Sequence, residues 1–133
     1  MIQQGFHIGD RDWWCMAYYN VRTESDLDEI YKALLASGCP NDNAQRACME
    51  LSRYNTGYTY TNFDEHLTIM CMSKATNAEQ MFDTIVHEIK HLVEHLSTYY
   101  DLDSKEELSA YLQGEVGRLM FPAAALAICP RCN

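Results

Sequence analysis

Between residues 77 and 100 apolar side chains recur at three- and four-residue steps: Ala78, Met81, Phe82, Ile85, Ile89, Leu92, Val93, Leu96 and Tyr99. That period belongs to an amphipathic helix of roughly six turns. A stripe of that length has to be buried against other elements, and the flanking sequence supplies them. "DWWCMAYYNV" (12–21) is aromatic-rich and predicts a strand. "SDLDEIYKALLASG" predicts a helix with Ser25 as its cap, acids in the first turn and an end at Gly38. "NDNAQRACMELSRYN" reads as a second, shorter helix. In "TGYTYTNFDEHLTIMCMS" tyrosines alternate with threonines, and Leu67, Ile69 and Cys71 alternate with Thr68, Met70 and Met72. This predicts two strands in a hairpin that turns near residues 62–65. "SKEELSAYLQGEVGRLMFP" predicts a last helix that begins at Ser104 and is limited by Pro122. The order of elements is that of an α+β fold, and 133 residues suit one domain spanning 1–133.

Composition excludes several functions. The formal charge is -9, and the ten basic residues never cluster. Neither nucleic acid nor an anionic membrane surface is an expected partner. The N-terminus has charge and aromatics where a secretory h-region would lie, and the longest apolar run (119–128) is too short to span a bilayer. A cytoplasmic or intracellular location is therefore expected. In a reducing compartment Cys15, Cys39, Cys48 and Cys71 read as small buried hydrophobes. "CPRC" (129–132) reads as incidental or as a local disulfide after oxidation; its spacing also suits metal or redox chemistry, but there is no second pair to complete a four-ligand site.

Within the long helix, "TIVHEIKHLVEH" (84–95) holds three of the five histidines. With His87 as zero and about 100° per residue, His91 falls near 40°, His95 near 80° and Glu88 near 100°, while the stripe of Ile85, Ile89, Leu92 and Leu96 centres near 180°. Solvated faces are usually built from Lys, Glu and Gln, so this one is unusual. His87 and His91 are one turn apart, and their imidazoles can converge on one ion. Glu88 projects beside that ion, where it can take a proton from a water. A straight helix separates His87 from His95 by about 12 Å, too far for one ion to take both along with His91. The better third ligand is a carboxylate of the next helix, Glu106 or Glu107. Glu107 also closes a capping box with Ser104. Ala110, Gly114 and Gly117 form a small-residue stripe on that helix, one that allows close approach to another helix.

"HEIKH" fits His-Glu-x-x-His and resembles the zincin metallopeptidases. Followed by Glu107-x-x-Ala110-Tyr111, it is similar to the gluzincin pattern. "ELSAYLQGEVGRLMFP" also resembles the corresponding helix of ImmA/IrrE-type peptidases, and together the likeness covers residues 64–122. It implies a minimal zincin-like domain: a small twisted sheet packed on the metal helix and a second crossing helix. It also implies one zinc per chain on His87, His91 and Glu107, with Glu88 as general base. It places "HLTIMCM" (66–72) as an edge strand able to pair with a peptide or protein substrate. The expected activity is zinc-dependent peptide hydrolysis. The alternative is a catalytically inactive, metal-stabilised interaction module, for example a viral or mobile-element component with a zincin-like fold. Trp13, Trp14, Tyr18 and Tyr19 are expected in the core. His7 and His66 are expected in hydrogen-bonded or surface roles, and Tyr111 either near the metal or in the core.

Overall fold

Both faces of a four-stranded sheet are covered by helices. The computed structural model describes residues 1–9, 11–102 and 106–129. The elements run β1 (Ile2–His7), β2 (Trp14–Val21), α1 (Glu24–Ala36), α2 (Asn41–Leu51), β3 (Gly57–Asn62), β4 (Leu67–Ser73), α3 (Ala78–Tyr99) and α4 (Glu106–Ile128). The fold is α+β, with sheet order β1-β2-β4-β3. β1 pairs antiparallel with β2, β2 parallel with β4, and β3 antiparallel with β4.

Alternation divides the core in two. On one face Cys15, Ala17, Tyr19, Met70 and Met72 meet α3 and α4; on the other Tyr18, Ile69 and Cys71 meet α1 and α2. With both faces buried, β4 reads as an almost continuous apolar run. Near the end of β2, Asn20 takes a positive φ of 59° and the register with β4 shifts between Tyr18 and Val21. This bulge sends Val21 to the α1/α2 side although Tyr19 faces α3 and α4. Trp13 and Tyr19 are fully buried and Tyr18 nearly so, as expected, but Trp14 is partly exposed.

Several boundaries differ from the sequence expectations. β1 was not expected, because two glutamines and a glycine mask its period. Ile2 and Phe6 nonetheless join the core, and Gln4 turns inward with both ends satisfied. It accepts from the Tyr19 hydroxyl at 2.7 Å and donates to the Leu119 carbonyl at 2.8 Å. The strand before α3, expected at the edge, is not an edge strand. β4 is flanked by β2 and β3, so the edge beside α3 is β3. α4 continues through Pro122 to Ile128. An exposed proline costs it one backbone bond, and the alanine-rich residues that follow are strong helix formers. The Ser104 capping box lies outside the described residues, as does most of "CPRC". No helix among the described residues is long and apolar enough to cross a membrane.

The cap of α1 is Thr23, not Ser25. Its hydroxyl accepts from Asp26 N at 3.0 Å, and Asp26 Oδ2 accepts from Thr23 N at 3.1 Å and Arg22 N at 2.9 Å. This reciprocal box satisfies donors that a helix start otherwise leaves open. Thr23→Ala is expected to cost about 1 kcal/mol of unfolding free energy. That corresponds to a fall of roughly 3–5 °C in Tm by calorimetry. Ser25→Ala is expected to change Tm by less than half as much.

Candidate metal centre

Asn77 starts α3 by accepting from Gln80 N at 2.9 Å, and three sides of the helix then meet different neighbours. Ile85, Leu92 and Leu96 enter the core against the sheet, while Phe82, Val86 and Ile89 line a groove shared with α4. The third side, with Thr84, Glu88, His91 and His95, runs along β3. It is this third side that carries the site.

The Nε2 atoms of His87 and His91 lie 3.1 Å apart. Their ring planes cross at 77° with centroids 4.7 Å apart, so the nitrogens point at each other and the rings do not stack. Two nitrogens sharing a tetrahedral ion at about 2.05 Å stand roughly 3.3 Å apart. The observed spacing fits that donor pair. Ligand atoms of His87, Glu88 and His91 all lie within 4.8 Å of one another, and no other such group occurs among the described residues. His87 is exposed and His91 half-buried, so the pair opens to solvent.

Glu88 departs from the solvated polar face expected on a helical wheel. It is 2 % exposed. β3 lies over it: the Thr59 hydroxyl donates to Oε1 at 2.7 Å, and a Cβ on Gly57 would overlap Oε2. Only glycine at 57 leaves room for this carboxylate. Burial pushes its pKa above the ordinary glutamate value, while the Thr59 hydroxyl and then His91 and His87 pull it back. A cleft of about 210 Å³ opens beside it, lined by Asn55, Thr56, Gly57, Asp83, Thr84, His87 and Glu88.

His95 belongs to a buried relay. The indole N–H of Trp13 donates to Thr68 Oγ1 at 3.0 Å, Thr68 and Thr61 hydroxyls share a bond of 2.9 Å, and Thr61 Oγ1 lies 2.8 Å from His95 Nδ1. An indole only donates, so Thr68 Oγ1 accepts there, and the two bonds beyond it run in the direction that the His95 tautomer sets. Burial, followed by the charge of His91, lowers the His95 pKa. His95 is thus a hydrogen-bonded neighbour of the site, outside the His87–Glu88–His91 group.

Glu107 is not brought to the histidines. α4 packs on the far side of α3 from β3, and Ser109 meets Ser97 with hydroxyls 3.4 Å apart. That contact is about 9 Å along the α3 axis from His91 and 15 Å from His87. Glu107, just before Ser109, is exposed on α4. The side chain of Glu106 lies outside the described part. Tyr111 is also exposed, neither in the core nor in the metal group. His66 takes the hydrogen-bonded role expected of it: its Nδ1 donates to the Asp12 carbonyl at 2.9 Å, and its Nε2 accepts from Tyr99 at 2.7 Å. His7 packs edge-on against Trp14.

Sequence reasoning missed Gly57, Thr59 and Thr61. One signal was available: in "GYTYTN" the tyrosines occupy one face of the strand, leaving a small, hydroxyl-bearing face for the other side. Comparisons with family models, with curated proteins and with solved structures return no match.

Proposed function

We propose that this protein is a zinc-dependent peptidase of zincin type. The observation that carries the reading is that two imidazole nitrogens and a fixed carboxylate bring ligand atoms within 4.8 Å of one another, with His87 open to solvent. His87 and His91 hold the ion. Zinc bound there supplies a Lewis acid for a carbonyl and lowers the pKa of water. Glu88 holds and passes on the proton at its carboxylate. Thr59 fixes one of its oxygens and Gly57 walls the other, so the base needs no reorientation before it acts. The raised pKa brings this carboxyl nearer to neutrality, as suits a group that must both take and release a proton. The substrate is an extended peptide. β3 is an edge strand beside the cleft and offers unpaired backbone groups along its outer side.

A second reading is a metal-stabilised interaction module without catalysis. The depth of Glu88, 2 % exposed, favours it. The deciding test is incubation of the zinc-loaded protein with a diverse peptide mixture, read by mass spectrometry. Cleavage is expected, to be abolished by a chelator and restored by zinc. If the zinc-loaded protein cuts nothing above the chelated control, the peptidase reading fails and the module stands.

A further inference from the structure

We infer that two copies of this chain pair through α4, antiparallel and related by a two-fold axis. α4 carries large apolar side chains on its outer as well as its inner side, yet only the inner side is buried. Leu112, Val116, Met120 and Ala123 face the core. Leu108, Tyr111, Phe121 and Leu126 face outward, with Tyr111 69 % and Phe121 67 % exposed. Helices apolar on all sides are normally covered on all sides. These four side chains leave on the order of 400 Å² of apolar surface in water, and Phe82 and Val86 across the groove bring the total to roughly 600 Å². A stable interface takes about 800 Å² per partner, a little over half of it apolar. The outer face of α4 therefore has the apolar area a dimer needs.

Two further features point to a second copy rather than another partner. The first is charge. Among the described residues of α4 the exposed charged side chains are one acid, Glu107, and one base, Arg118, and neither has an ion-pair partner among the described residues. On a chain of net charge -9 this is a locally neutral face, where two copies repel least. An antiparallel pairing centred between residues 112 and 113 sets Glu107 of each copy against Arg118 of the other, so the two ion pairs form reciprocally. The second is shape. The same register sets Tyr111 against Gly114, with Gly117 one turn further along the same flank. A Cβ on either glycine meets nothing within 4 Å in the chain alone, so packing within the chain accounts for neither. Both glycines line an apolar groove of about 540 Å³ between α3 and α4, which is the hollow Tyr111 enters. The pairing leaves the His87 side of α3 open.

Sedimentation velocity of the full chain tests this independently of any catalysis. Wild type is expected to sediment at twice the chain mass at about 50 µM, an ordinary concentration for interfaces of this size. Gly114→Leu fills open space, so it should keep the circular dichroism of wild type and become monomeric. Glu107→Arg should be monomeric through like charges, and Glu107→Arg combined with Arg118→Glu should recover the dimer. That recovery is a readout no purely structural role produces. The proposal is overturned by a monomeric wild type, including one that instead co-sediments with lipid vesicles. A dimer that survives both single substitutions, or a charge swap that fails to restore it, also overturns it.

Discussion

Replacing Glu88 with Gln is expected to leave folding and zinc binding intact and to lower peptide hydrolysis by at least ~100-fold, the usual scale for a positioned acid–base group. The amide keeps the size of the side chain, and its oxygen can still accept from Thr59, which donates at 2.7 Å in the wild type. The packing under Gly57 therefore stays as it is. The one thing lost is the capacity to take a proton. Because Glu88 is almost wholly buried, truncation to Ala would confound this test by leaving a cavity and an unpartnered Thr59 hydroxyl. Rates from zinc-loaded wild type and variant, with metal content measured on the same samples, give the answer. Equal rates would show that the hydrolysis does not use this carboxylate. Loss of zinc from the Gln variant would show that Glu88 ligates the metal and is not a free base.

The sequence carried the helix and the histidine pair because both depend on local spacing. The 3.6-residue period placed α3 within a residue of its observed span, and a one-turn separation is enough to bring Nε2 of His87 and His91 within 3.1 Å. The environment of Glu88 depends on sheet topology, which no local period encodes. A helical wheel put Glu88 on a polar flank about 80° from the centre of the core stripe; the wheel cannot know that β3 would lie over that flank and bury it. The same gap misplaced the edge strand. Residues 67–73 do precede α3, but the parallel pairing of β2 with β4 places that strand inside the sheet. Glu107 illustrates a third limit. Its spacing from Ala110 matched a known pattern, yet its position follows from which side of α3 the returning helix takes. The contact of Ser97 with Ser109 places α4 on the side away from β3.

The expected consequence for the metal is specific. His91→Ala should abolish the single tightly bound zinc, lowering affinity by well over ~100-fold, because changes merely outside the ligand set already cost up to about that much. His87→Ala should do the same. With one imidazole gone, no described histidine or acidic side chain can replace it in the group, since only His87, Glu88 and His91 bring ligand atoms within 4.8 Å of one another. His95 cannot slide into place without breaking its bond to Thr61 and the relay behind it. Glu107→Ala should leave zinc affinity unchanged, because α4 carries that carboxylate about three turns of α3 away from His87. Metal content of protein purified without added zinc, followed by competition with a chromogenic chelator, measures all three variants on one scale. Full zinc in His91→Ala would remove the site from this helix altogether. A loss of tenfold or more in Glu107→Ala would mean that α4 reaches the ion after all, and the ligand set would then be His87, His91 and Glu107 as the gluzincin pattern implies.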